Sequence, residues 1–286
     1  MFVIIGFVIV IGSILGGYMA GGGELYVLFQ PFEFIIILGS GLGGFIIANP
    51  MNVVKGAAAA TGRIFKGARY DKAAYIELIS VMYQVFKLAK AKGMLALEQH
   101  VENPHESTLF QQFPNFAKNH HAMTFICDYL RMMTLGAENS MQIEDLMNAE
   151  LEVHHAELAQ VSGAVTTVAD GLPALGIVAA VLGVIHTMGS ISEPPAVLGH
   201  LIGAALVGTF SGVLFAYGFV GPIANAIKSI DEADSKYLQC IKAGLLAHLQ
   251  GYPPAVSVEF ARKALLHDVR PTFYEVEDAM QTLPPI

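Results

Sequence analysis

Charge is missing from long stretches of this chain, and that absence decides more than any motif does. Only 14% of its 286 residues are Asp, Glu, Lys or Arg. Met1 to Gly23 contains none of the four, Phe34 to Ala48 contains none, and Gly171 to Ser192 and Pro194 to Ile227 are equally clean. Cysteine is scarce as well. Cys127 and Cys240 lie far apart without a CxxC spacing, which excludes a disulfide framework and a zinc site of the usual kind, so both are expected to be reduced and buried. The net charge of −8 comes with no basic cluster dense enough to hold nucleic acid. No HExxH or other recognised metal spacing surrounds His120-His121 or His154-His155. Residues adjacent in sequence point to different sides of a helix, so each pair offers at most one ligand, and solvated surface histidines are expected. No nucleophile, metal set or phosphate cradle is assembled, so an enzyme reading fails and no cofactor is implied.

What remains is apolar length with its positive charge confined. All sixteen Lys and Arg residues fall in two windows, Lys55 to Arg131 and Lys228 to Arg270. A bilayer core of about 30 Å asks for roughly 20 mostly apolar residues per helix. The first, third and fourth clean stretches are long enough, and the second becomes so once its flanks are included. Basic loops stay on the inner side of a membrane, which puts both windows in the cytoplasm and the Glu24 and Ser190 to Leu198 linkers outside. No basic residue precedes the first apolar run and another span follows closely, so that run is expected to be a retained helix and not a cleaved signal. The chain is therefore predicted to be an all-α polytopic membrane protein with four transmembrane helices and a helical cytoplasmic domain. The spans are expected at residues 1–23, 31–50, 169–191 and 199–222, with a cytoplasmic loop at 51–168 and a cytoplasmic tail at 223–286.

The cytoplasmic segments read as helix. Ile76, Ile79, Met82 and Phe86 recur on one face of Asp71 to Lys92, which Gly93 stops. A shorter helix is expected from Met94 to Val101, before Asn103-Pro104. Ala122 to Leu135 follows, then Met141 to Val168, running straight into the third span. Beyond Ala224 to Leu249 the Gly251-Tyr252-Pro253-Pro254 turn breaks the chain, and Val256 to His267 forms a last helix.

Gly39-Ser40-Gly41-Leu42-Gly43-Gly44 has the GxGxxG form, but the apolar run continues through Phe45-Ile46-Ile47-Ala48 where a nucleotide site needs a helix with a polar face. Close helix packing through Gly39 and Gly43, four apart on one face, is the expected use. The third and fourth spans carry threonines, glycines and two prolines but no carboxylate or amine at mid-membrane depth, where an ion relay normally wants an ionisable group. Pro173 and Pro222 each remove a helix hydrogen bond near the inner ends. Ala180 and Thr209 come to similar depth on antiparallel helices, each about ten residues from its own boundary at ~1.5 Å per residue. Two readings of Thr209 stand at this point: a pore-lining hydroxyl, or one bonded back to its own helix.

At these residues the sequence resembles the MotA family of flagellar motor stator subunits. The fourth span, Ala205-Leu206-Val207-Gly208-Thr209-Phe210-Ser211-Gly212-Val213-Leu214 with Pro222 beyond, is similar to the family signature. So are Asp170-Gly171-Leu172-Pro173-Ala174-Leu175-Gly176-Ile177-Val178-Ala179-Ala180 around the third span, and Gly251-Tyr252-Pro253-Pro254 followed by Val258-Glu259-Phe260-Ala261-Arg262-Lys263 in the tail. The resemblance implies a homo-oligomer, a pentamer in related stators, in the bacterial inner membrane with both termini cytoplasmic. It would surround a MotB dimer whose Asp supplies the missing carboxylate and whose other end anchors to the cell wall. The cytoplasmic loop would push the rotor protein FliG. Pro173 and Pro222 match the coupling prolines, while Thr209 and Tyr217 match pore positions. Asp170 at the inner mouth either relays protons or caps its helix. Sodium-driven relatives have a second Thr where this chain has Ala180. A methyl cannot replace the water shell of sodium, so a proton path is expected. Glu98 and Glu150 match rotor-facing acids, and Lys90 stands where many members carry Arg; ordinary solvated charges are the alternative for these. The rival class is the ExbB or TolQ energiser of outer-membrane processes, which shares the last two spans but begins differently.

Overall fold

The computed structural model describes residues 2–284, and among these the chain is helical with no β-strand. In chain order come α1 (Phe2–Ala20), α2 (Leu25–Leu28), α3 (Pro31–Ala48) and α4 (Met51–Arg63). Then follow α5 (Lys72–Lys92), a 3-10 turn at Met94–Leu97, α6 (Glu98–Glu102), a second 3-10 turn at Phe110–Gln112, α7 (Pro114–Ala117) and α8 (His120–Thr134). The 50-residue α9 is Ser140–Gly189. After it, α10 (Pro195–Leu214) passes through a π-helical turn at Phe215–Val220 into α11 (Gly221–Leu249), and α12 (Pro254–Lys263) and α13 (Phe273–Gln281) close the chain. Two compact units result, one made of residues up to Gly67 with Glu157–Ile230, the other of Ala68–Ala156 with residues from Asp231 onward.

The first unit holds the apolar length. Among the described residues four helical stretches are long and apolar enough to cross a membrane: Phe2–Ala20, Leu25–Ala48, and the apolar parts of Ser140–Gly189 and Pro195–Leu249. Their outward side chains are bare, Phe2 at 84% and Ile47 at 88% exposure, a surface that lipid covers and water would not. The second span gains its length from α2, which Phe29 and Gln30 separate from α3. Pro31 opens α3 at a position where no N–H is needed, and Asn49 ends it by donating its side-chain amide to the Phe45 carbonyl at 2.8 Å.

Helix packing through Gly39 and Gly43 is not what the structure has. A Cβ at either position would meet nothing within 4 Å, whereas one on Gly41 would lie 3.3 Å from Leu172 Cδ2. The helix is turned so that Ile37 and Gly41, also four apart, face inward, and Ile37 is fully buried. The small residue belongs on the face that carries the buried isoleucine.

The two prolines differ in their effect. Pro173 lies inside α9 without interrupting its helix, whereas Pro222 follows the π turn, where the Gly221 N–H reaches back five residues to the Ala216 carbonyl. Proline lacks an N–H and its ring crowds the carbonyl four residues earlier, and a wider turn relieves both.

In the second unit the core gathers on α5. Its expected one-sided face is too narrow a description. Leu78, Ile79, Val81, Met82, Val85 and Phe86 are all fully buried, and Ile76 is only partly so, because α12, α13 and the turn after Gly93 surround the helix. Gly93 stops α5 at φ +81°, a conformation that disfavours a side chain. The stretch after it splits into the 3-10 turn and α6 instead of one helix. The last helix expected at 256–267 runs Pro254–Lys263, α4 takes up the start of the loop that reads as helix, and α13 is an additional helix beyond the expected last one.

α13 is tied down by a capping box between Thr272 and Glu275, and Glu275 also takes the Lys72 ammonium at 2.6 Å. The Lys72 contact, with help from Thr272, holds the Glu275 carboxyl at about 2. A depressed carboxylate pKa stabilises the fold above the ordinary range near 4.3, and the contribution disappears as pH falls from there toward the folded value. The gap in urea midpoint between the parent chain and Glu275→Gln should therefore stay constant from neutral pH to about 5 and close below that. A gap that already closes between neutral pH and that point would refute the assignment.

Candidate functional site

The seam between the third and fourth spans is built by glycine. A Cβ on Gly212 would lie 2.7 Å from both Gly176 Cα and the Leu172 carbonyl, and one on Gly176 would lie 2.8 Å from the Gly208 carbonyl. At Gly183 the same test meets Ala205 Cβ at 2.7 Å. Bare backbones let two helices approach this closely, and the dispersion attraction between them replaces the hydrophobic drive that lipid removes. The spacing is visible in the sequence: Gly208 and Gly212 stand one turn apart on one helix, Gly176 and Gly183 two turns apart on the other. Their pairing across the seam is not.

Ala180 lies at the same seam. A Cβ on Gly208 would lie 3.0 Å from the Ala180 nitrogen, so the neighbour of Thr209 rests against Ala180 and the two helices meet at the level inferred from counting. Thr166, Thr167 and Thr187 return their hydroxyls to the carbonyl four residues back, at 3.0, 3.0 and 2.9 Å. Among the described residues no such bond ties Thr209, which leaves its hydroxyl available. Tyr217 lies in the π turn at 70% exposure, and Pro222 is exposed too. Asp170 is exposed and sits thirty residues into α9, so it cannot be the cap of that helix. Glu33, in the first turn of α3, has one carboxylate oxygen sequestered without a hydrogen-bond partner.

The cytoplasmic candidates separate. Lys90 lines a cavity of about 340 Å³ with Met94, Met133, Glu138, His248 and Tyr252. Glu98 opens α6 and lines another of about 660 Å³ with Lys92, His100 and Glu102. His248 stacks on Phe86 at 4.5 Å, and burial, then Lys90, lower its pKa. Glu150 accepts a 2.7 Å hydrogen bond from the Tyr129 hydroxyl, so this acid is engaged within its own fold. Burial and Glu150 together raise the Tyr129 phenol. Cys127 and Cys240 are buried, as expected, and burial pushes the Cys127 thiol up to about 12.

Other expected or overlooked groups are structural. His121 and His154, one from each pair, come together with ring centroids 4.5 Å apart, yet no group of three metal-binding side chains forms among the described residues. The tail motif is a clasp: Arg262 donates to both Glu259 oxygens at 2.7 and 2.6 Å and to the Pro271 carbonyl at 2.8 Å. Arg262 holds the Glu259 carboxyl below the usual range.

Comparison with known proteins places this geometry. Residues 4–93 match the Motility protein A N-terminal family, and residues 117–239 match the MotA/TolQ/ExbB proton channel family. The chain is 41% identical to Motility protein A of Escherichia coli over 99% of its own length and 96% of that protein's. It is 33% identical to Chemotaxis protein LafT of Vibrio parahaemolyticus, covering 96% of each. Among solved structures it resembles the C. jejuni MotAB structure with a TM-score of 0.76 at 21% identity, covering 93% of this chain and 96% of that one. It also resembles the flagellar MotAB stator complex of Bacillus subtilis, with a TM-score of 0.65 at 25% identity over 90% and 92%.

Proposed function

We propose, from the premise that this chain belongs to the Motility protein A family of flagellar motor stator subunits, a division of labour between its seam and its cytoplasmic unit. It is a membrane protein of the proton-channel superfamily and serves as a stator subunit. The third and fourth spans line a proton path that a MotB carboxylate completes. Thr209 offers a hydroxyl to the path, Tyr217 faces it from the π turn and Pro222 from the start of α11, and Pro173 and Pro222 let the helices shift as the carboxylate changes charge. Asp170 lies at the inner mouth as an exposed relay. Around a MotB dimer the subunits form a pentamer in the inner membrane, with termini and basic loops on the cytoplasmic side.

The observation that carries this reading is the seam itself: two helices in backbone contact, free of any carboxylate or amine at mid-depth, with Gly208 packed on Ala180 and the hydroxyl of the next residue, Thr209, bonded to nothing among the described residues. A path with no acid of its own needs a partner's. The match over residues 4–93 supports the motility branch over the ExbB and TolQ energisers, which begin differently.

Torque passes to FliG through Lys90 and Glu98, with Glu150 a lesser contributor already committed to Tyr129. Exposed charges of this kind are worth about 1 kcal/mol or less each, so neutralising Lys90 alone should slow swimming only slightly. Swimming abolished by that change, with the stator still assembled, would contradict the assignment. The deciding experiment is a deletion strain that is flagellated but paralysed. Rescue should require this chain together with MotB, and speed should follow the proton gradient and ignore external sodium. Rescue without MotB would overturn the path, and speed that tracks sodium would overturn the Ala180 argument.

A further inference from the structure

Between α3, α4 and the third span runs an open groove of about 340 Å³ with almost no polar surface, its walls including Leu42, Phe45, Val54, Ala58, Val168 and Leu172. That volume falls in the range of ligand sites, about 300 to 1,000 Å³. α4 buries Val53, Ala57 and Ala60 against its own unit and turns Lys55 outward. Lys55 does not line the groove itself, but it stands three residues from Ala58, which does, and is therefore the neighbour of that wall on the helix surface.

Charge narrows the choice of occupant. The basic residues of this unit are Lys55, Arg63, Lys66 and Lys228, all at the inner end of the spans, and Lys55 and Lys66 are exposed and outside any ion pair among the described residues. A second copy of the chain would bring the same four cations to that level against only two acids on the inner side, Glu157 and Asp170, and so a net positive surface. An anionic lipid headgroup meets opposite charge, and its acyl chain matches the apolar walls.

We infer that this groove is a binding site for an anionic phospholipid of the inner leaflet, its acyl chain lying along Phe45, Val54 and Ala58 and its phosphate beside Lys55. The inference rests on the membrane placement of this unit but not on ion conduction, so its test needs no motility.

The complex with MotB, purified from cells and washed extensively in detergent, is analysed for retained phospholipid, then offered phosphatidylglycerol or phosphatidylcholine in mixed micelles. Phosphatidylglycerol should be retained in preference. Lys55→Gln should weaken its retention by about five-fold, the worth of one lysine at an anionic surface, and Lys55→Arg should restore it. Ala58→Phe, which fills the groove, should displace the lipid while the subunit number is unchanged. Equal retention of the two lipids, or no effect of Lys55→Gln, overturns the proposal. So does an Ala58→Phe complex that falls apart with its lipid content unaltered, because a neighbouring subunit would then be the occupant. Should Ala58→Phe fail to fold, the lysine pair alone decides.

Discussion

Gly212→Val should abolish motility while leaving the protein in the membrane. The new Cβ would lie 2.7 Å from Gly176 Cα and from the Leu172 carbonyl, and both are backbone, so no rotamer change relieves the clash. Overpacking in a close-packed site costs about 1–3 kcal/mol when side chains can yield, and the upper end or beyond is expected when they cannot. The helices must separate, which takes Gly208 and the Thr209 that follows it away from the backbone of Ala180. Gly208→Ala should be milder, since its nearest contacts at 3.0 to 3.3 Å ask for shifts of a few tenths of an ångström. Gly39→Ala, with nothing within 4 Å, should swim normally. Swimming speed measured beside membrane abundance separates the cases. Normal speed in Gly212→Val would mean that the seam is not the working part.

The second large effect is expected in the cytoplasmic unit. Arg262 is only 7% exposed, and replacing it with Met leaves the Glu259 carboxylate and the Pro271 carbonyl without their donor. Orphaning a partly buried charge and a buried acceptor costs about 2–4 kcal/mol. Arg262→Lys should recover part of that, because an ammonium keeps the charge but not the planar fork that spans both Glu259 oxygens. Because Arg262 lowers the Glu259 pKa, the clasp stabilises above the ordinary carboxylate range and weakens as pH falls through the folded value. Urea midpoints of the three proteins at neutral and acidic pH provide the check. Identical midpoints at neutral pH would show that the motif has no structural role.

The spans were legible because bilayer burial is a one-dimensional signal: apolar length and missing charge can be counted along the chain. α5 was legible at both ends for local reasons, the Asp71 side chain accepting from the Ala74 N–H at its start and Gly93 at its stop. α13 left a signal too, Thr272 and Glu275 in capping-box spacing, but nine residues give too little periodicity to outweigh the adjacent turn. α4 was legible only as part of a helical loop, since its alanines favour helix without marking which face is buried. The rotation that chose Gly41 over Gly39 and Gly43 could not be read at all, because it depends on which neighbour α3 meets. The π turn before Pro222 was half legible: the proline signalled a disturbed ladder, while the remedy depended on backbone geometry.

None of the 19 residues of α1 is buried against the rest of the chain, although Phe7 reaches Phe219 with ring centroids 5.3 Å apart. A segment so thinly attached draws its position from its surroundings more than from its own subunit. Conservative exchanges along it should leave the stability of the isolated polypeptide almost untouched, so any that do slow a cell are reporting on its companions. Its tolerance profile, scanned position by position, would trace the outline of whatever lies alongside.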